Sequence, residues 1–162
     1  TSVGVDPHNV VRTMSRIVRS AESMGNVPPL NHIPRTKRGV VSYSANDIAM
    51  RLNAKALVTF TTSGDTARRV ARLHPELPLL VFTPVQQVRS QLAVTWGVET
   101  FLCADVYNTD DMLRTVDNIL LALDEYKEGD TMVVVAGIPP GVAGTTNTIH
   151  VHQLGEDTRK PQ

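Results

Sequence analysis

The sequence predicts an α/β fold of three layers, αβα, around a mixed five-stranded sheet that is mostly parallel with an antiparallel edge strand. Three observations predict it. Four short apolar stretches, 57–60, 79–82, 99–103 and 131–136, alternate with segments whose apolar residues recur at helical spacing. That alternation calls for right-handed crossovers and a mainly parallel sheet. The four stretches read as continuous, mainly apolar runs rather than alternating ones, as strands covered on both faces do. The last stretch, 147–154, instead alternates, with Ile149 and Val151 against His150, His152 and Leu154, as an antiparallel edge strand does.

Composition narrows the class. A chain of 162 residues forms one domain with a proper core and a modest appendage. Sixteen basic and sixteen acidic side chains cancel, and no basic run is interleaved with aromatics, so nucleic acid is not an expected partner. The single cysteine, Cys103, ends an apolar run and reads as a small buried hydrophobe. No apolar run approaches the roughly 18 residues of a membrane span, and the first residues lack a charged-then-apolar leader. A cytoplasmic location without membrane contact is the expectation. The chain opens on Thr1 rather than methionine, which points to processing or truncation.

The elements follow in order. Asp6 is a natural N-cap and Pro7 a natural first helical residue. Val10, Val11, Met14, Ile17, Val18 and Ala21 then share one face, with Arg12, Arg16 and Arg19 opposite, in an amphipathic helix of about four turns. Pro28, Pro29 and Pro34, with Arg35, Lys37 and Arg38, mark a linker over 25–39 whose basic side chains read as a solvated face. Ser44 or Asn46 caps a helix carrying Ile48, Ala49 and Leu52, which stops near Asn53 before the first strand. A helix over 65–73 ends at His74-Pro75, and the second strand follows. Pro84 opens a helix with Val85, Val88, Leu92 and Ala93. Gly97 precedes the third strand. Asp110 starts a long helix with Met112, Leu113, Val116, Ile119, Leu120 and Leu123 inward, closed at Gly129 before the fourth strand.

Two loops carry the candidate chemistry. The hydroxyls of Thr61, Thr62, Ser63 and Thr66, with the amides of Gly64 and Asp65, cluster where the first strand turns into a helix whose N-terminal N–H groups and dipole favour an anion. An ordinary N-cap made by Thr62 or Ser63 is the plainer reading of the same residues. The second loop, 138–146, holds Pro140, Gly141, Val142, Ala143, Gly144 and Thr145, and its glycines let backbone amides approach a ligand. In a doubly wound sheet, ligands sit beyond the carboxyl ends of the strands where winding reverses. If the fourth strand lies beside the first, both loops meet there. Arg68, Arg69 and Arg114 are further cations within reach of this region, or simply solvated helix faces.

The passages Thr61-Thr62-Ser63-Gly64-Asp65-Thr66-Ala67-Arg68, Lys127-Glu128-Gly129-Asp130 and Ala136-Gly137-Ile138-Pro139-Pro140-Gly141-Val142-Ala143-Gly144-Thr145-Thr146-Asn147-Thr148-Ile149 together resemble the C-terminal domain of pyruvate kinase. The opening Thr1-Ser2-Val3-Gly4, with Pro7 and Val11-Arg12-Thr13-Met14, is similar to the last loop and helix of that family's catalytic barrel. The resemblance implies four parts: barrel loop and helix over 1–24, linker over 25–39, regulatory domain over 40–155 and a tail over 156–162. It implies phosphoryl transfer from phosphoenolpyruvate to ADP in a full-length glycolytic enzyme, using a lysine, Mg2+ and K+ on barrel segments that these residues do not include. The chain itself is then expected to need no cofactor and to be inactive alone.

The same resemblance makes 61–66 the effector phosphate loop and 138–146 the loop that closes over the effector. It implies a homo-oligomer in which the last strand pairs with its counterpart across a two-fold axis. Relatives responsive to fructose bisphosphate often carry a basic residue where this chain has Asp65, and some carry lysine where it has Thr62. One cation fewer and one anion more beside a phosphate favour a monophosphate, such as glucose 6-phosphate, ribose 5-phosphate or AMP, over a bisphosphate. Two other classes stay open: a standalone sugar-phosphate enzyme with His150 or His152 as acid or base, and a purely structural oligomerisation domain. A histidine on an edge strand is more often plain surface, and no carboxylate has a motif relation to these two.

Overall fold

A computed structural model describes residues 3–24, 34–142 and 144–156. Two compact units divide it, residues 1–32 and 33–162. The first contains α1 (Pro7–Ser23), started by the Asp6 carboxylate, which accepts a hydrogen bond from the Asn9 amide at 3.0 Å, and by proline in its first turn. None of its residues is buried, and Val11, Met14, Ile17 and Val18 are exposed along one face.

The second unit runs α2 (Lys37–Arg51), β1 (Ala56–Phe60), α3 (Asp65–Ala71), β2 (Leu79–Thr83), α4 (Gln86–Leu92), β3 (Val98–Leu102), α5 (Thr109–Leu120), β4 (Thr131–Gly137) and β5 (Thr146–Gln153). The strands form one sheet in the order β3-β2-β1-β4-β5. The first three pairings in that order are parallel and β4–β5 is antiparallel, so the expected mixed sheet is present. All five residues of β1 and of β2 are buried, which is why those segments read as unbroken apolar runs. α5 covers one face, over Phe60, Phe82, Met112, Leu113, Val116 and Leu120. α2, α3 and α4 cover the other, over Ala45, Ala49, Val70, Val81, Leu92 and Val135. The rings of Phe60, Phe82 and Phe101 stack across three neighbouring strands with successive centroids 5.1 Å apart.

Several local expectations need correction. α2 begins at Lys37, not near Ser44 or Asn46, so the last residues of the expected linker are helical. Thr36 caps it, its hydroxyl accepting from the Gly39 amide at 3.2 Å. The buried stripe of α2 is Gly39, Ser42, Ala45 and Ala49, small residues that let the helix lie close to the sheet but leave no strong apolar signal. Leu52 is exposed. β3 is half-exposed because it is the second edge of the sheet, and Cys103 lies just beyond it, partly exposed rather than buried. α4 starts at Gln86 with Val85 as its N-cap, and α5 starts at Thr109, capped by Asn108 and not by Asp110. α5 also ends before Leu123, which is exposed.

The largest correction concerns the last strand. His152 is fully buried and its Nε2 lies 2.7 Å from the Asp117 carboxylate on α5, which also accepts from the Gly155 amide at 3.2 Å. The side chain ties the outer strand to the covering helix and is not plain surface. Val151, on the opposite face, is the exposed one.

Candidate functional site

The chain leaves β1 toward β2 on one side and reaches β4 on the other, so winding reverses between β1 and β4, which are parallel neighbours. Both candidate loops lie at the carboxyl ends of these two strands, and they line one cleft. Thr61, Thr62, Ser63, Asp65 and Thr66 come from the first loop. Gly137, Pro140, Gly141, Val142, Gly144, Thr145 and Thr146 come from the second. Ala143 lies outside the described residues. Phe60, Phe82 and Met112 give the cleft an apolar floor, and Pro84 with 103–106 adds the ends of β2 and β3.

The first loop is built by its own hydroxyls. Thr61 Oγ1 accepts from the Gly64 amide at 2.9 Å in a buried contact, folding the loop back on itself. Gly64, with φ +82°, is the N-cap of α3 and gives no side-chain cap. Its positive φ favours glycine, and a Cβ there would also displace the end of the flexible Arg68 side chain, 2.9 Å away. Neither Thr62 nor Ser63 is therefore the N-cap. Ser63 Oγ makes only a long 3.4 Å contact with the Asp65 amide and is otherwise open at the surface. Thr66 is buried, its hydroxyl 2.8 Å from that of Thr146.

The second loop hangs from a fixed neck. The Asn147 side chain accepts from the Ile138 amide and donates to the Ile138 carbonyl, each at 2.8 Å, so it substitutes for a strand partner. It can do so because the β4–β5 register shifts there: Gly137 pairs with Thr146 and Ala136 with Thr148, leaving Asn147 unpaired. Within the loop, Thr145 Oγ1 donates to the Val142 carbonyl at 2.7 Å.

The charges are arranged differently from the expectation. Arg69 lines the cleft, with its Nε buried and without a hydrogen-bond partner. Arg68 does not: it donates to the Ser63 carbonyl at 3.1 Å and to Gln91 at 3.3 Å, bracing the loop from outside. Arg114 sits 3.8 Å from Asp111, also away from the cleft. Arg38, read from sequence as a solvated linker side chain, lines the cleft and passes against Gly144. Asp65 and Asp105 supply the negative charge. Burial, aided by Asp105, pushes the Cys103 thiol above its ordinary range, so it is no ready nucleophile. Sequence reasoning missed Arg38 and the 103–106 segment. Parallel strands all end on the same side, and that rule applied to β3 as well as β1 would have found the latter.

His150 and His152 are not among the cleft residues. Among the described residues no group of three or more His, Cys, Asp or Glu side chains is placed to hold a metal ion. Nor is any described helix long and apolar enough to cross a membrane.

Comparison with known proteins agrees with this architecture. The sequence profile described as "Pyruvate kinase, alpha/beta domain" matches residues 40–152. A pyruvate kinase of Corynebacterium efficiens is 74% identical over 162 residues, covering 100% of this chain and 34% of that protein. One from Mycobacterium tuberculosis is 61% identical over 158 residues, covering 97% and 34%. One from Staphylococcus aureus is 30% identical over 168 residues, covering 100% and 28%. The chain thus spans about a third of the length of the curated relatives it matches. With its sheet order, its two facing loops and these matches taken together, the chain belongs to the pyruvate kinase family, and residues 40–152 are its alpha/beta domain.

Proposed function

We propose that this chain is the regulatory part of a glycolytic, cytoplasmic pyruvate kinase, binding a phosphorylated small-molecule effector between 61–66 and 138–146. The observation that carries the reading is the convergence of the two loops on one cleft at the switch point of the sheet. Gly64 gives the short helix α3 no side-chain cap, and Thr62 and Ser63 line the cleft just before it, with Ser63 Oγ only 3.4 Å from the Asp65 amide. An anion seated there accepts from those amides and hydroxyls, while the loop hung from Asn147 folds over it. Asp65 and Asp105 oppose a second phosphate, which favours a sugar monophosphate or AMP over a bisphosphate. Transfer of the phosphoryl group from phosphoenolpyruvate to ADP, with its Mg2+ and K+, belongs to the longer protein and not to these residues. In that protein β5 pairs with its counterpart in a second copy, giving a homo-oligomer.

Calorimetric titration with glucose 6-phosphate, ribose 5-phosphate, AMP and fructose 1,6-bisphosphate tests the reading. At least one monophosphate binds more tightly than the bisphosphate, and Ser63→Asp, which puts a carboxylate at the phosphate position, abolishes that binding without unfolding the chain. Unchanged affinity in Ser63→Asp moves the site elsewhere. In a coupled assay with phosphoenolpyruvate, ADP, Mg2+ and K+, the chain shows no turnover. Turnover that scales with its concentration would return the standalone-enzyme reading.

A further inference from the structure

We infer that Arg38 and Arg69 form a two-arginine clamp on the effector's phosphate dianion, with Arg38 joining that phosphate to the loop that closes over it. The inference rests on the effector reading above and adds to it residues from outside both loops.

Arg69 comes from the middle of α3 and Arg38 from the first turn of α2, yet both line the same cleft. The Arg69 Nε is buried without an acceptor, a costly condition for a charged group unless a ligand supplies one. The Arg38 guanidinium likewise has no hydrogen bond or ion pair among the described residues. Its position is unfavourable in the absence of an anion, because Lys37 and Arg38 sit at the positive end of the α2 dipole, where acidic residues are the stabilising choice and the first turn of α2 has none. An anion in the cleft removes both penalties together. Two planar guanidiniums offering parallel N–H pairs match the oxygens of a phosphate monoester better than a single carboxylate.

Arg38 also touches the closing loop. Its Nη1 lies 3.2 Å from where a side chain on Gly144 would begin, so the guanidinium passes directly against the loop backbone at a residue with φ +81°. A phosphate that draws Arg38 inward moves the group against which that loop packs. Asp65 and Asp105, the other charged residues of the cleft, are placed to accept from hydroxyls and to repel further phosphate, so the rest of the ligand is polyhydroxylated and uncharged.

The experiment uses the whole chain with glucose 6-phosphate, AMP and inorganic phosphate as probes, measured by calorimetry at low and high salt. Arg38→Ala and Arg69→Ala each weaken the tightest-binding organic phosphate about 10- to 100-fold, the loss of one charge-assisted contact set. Each variant also flattens the fall of affinity with salt, which a merely structural role would not do. Arg38→Lys keeps part of the affinity, and Arg38→Ala no longer gains ligand-dependent protection from hydrogen exchange at 138–146. Arg38→Ala with wild-type affinity and salt slope, in a preparation where Ser63→Asp does abolish binding, overturns the clamp and leaves the effector reading standing. Wild-type chain that binds none of the three probes overturns both. Because Arg38 is exposed, its substitution leaves the fold intact, and circular dichroism of each variant verifies this.

Discussion

The hydroxyls of Thr66 and Thr146 lie 2.8 Å apart in a buried contact between residues 80 positions apart in sequence. One belongs to the first turn of α3 and the other opens β5, so a single hydrogen bond joins the 61–66 loop to the base of the 138–146 loop. Thr66 lines the cleft, as the sequence reading of 61–66 expects, and its hydroxyl also braces the scaffold.

Removing either partner leaves a buried hydroxyl unsatisfied, which costs about 1–3 kcal/mol. Thr66→Val and Thr146→Val are therefore each destabilising in urea titrations. The double variant loses less than the sum, because both polar groups are gone, and a double-mutant cycle reads the coupling. Additive effects would mean that the two hydroxyls do not interact.

Asp117 on α5 holds buried His152 on β5 and the Gly155 amide together. Asp117→Ala removes an acceptor from both and should destabilise the chain by about 2–3 kcal/mol, in the range of hydrogen bonds to charged groups. Asp117→Asn keeps one accepting oxygen and should cost less. Thermal unfolding that ranks Asn below Ala in stability would sink this account.

His150 titrates below the ordinary histidine value of 6.5, first because of burial and then because of neighbouring His152, with Glu156 and Asp110 pulling weakly the other way. A depressed folded value means that the unfolded chain binds more protons between the two. The contribution of His150 to stability is thus complete above about 6.5 and fades as pH falls through the folded value. Urea midpoints measured from neutral to mildly acidic pH should decline, and His150→Gln should make that decline shallower. An unchanged slope in His150→Gln would assign the acid sensitivity to other groups.

Among the described residues β5 is paired on one side only, by β4, and its other edge presents backbone N–H and C=O groups. Self-pairing of that edge across a two-fold axis gives an isologous dimer. Sedimentation at micromolar concentration should show dimers, and proline at Ile149 or His150 should dissociate them where the replaced N–H faces outward. Strictly monomeric wild-type chain, with and without ligand, would rule out self-pairing by this chain.

Much of the architecture was legible because burial on both faces writes itself into sequence. Leu79-Leu80-Val81-Phe82 and Met132-Val133-Val134-Val135 could hardly be anything but interior strands, and the alternation around Ile149 and Val151 marked the edge. What escaped were features that sequence periodicity does not encode. The inward face of α2 is made of Gly39, Ser42, Ala45 and Ala49, whose value lies in close approach rather than hydrophobicity. His152 looked like surface because its partner, Asp117, is distant in the chain and meets it only after β5 has docked beside β4. Arg38 was hidden for the same reason: its role depends on where α2 begins, and Thr36 sets that point through one hydrogen bond.

The neck made by Asn147 gives the 138–146 loop the properties of a socket. Two hydrogen bonds from one side chain fix where the loop leaves β4 and where it returns, whatever lies between. Changes at the tip, 139–142, should then leave the strand register in place, while replacing Asn147 removes both bonds that hold the neck. If the cleft holds an effector as proposed, ligand preference becomes an interchangeable part: a different tip in the same holder would answer to a different metabolite with the sheet unaltered.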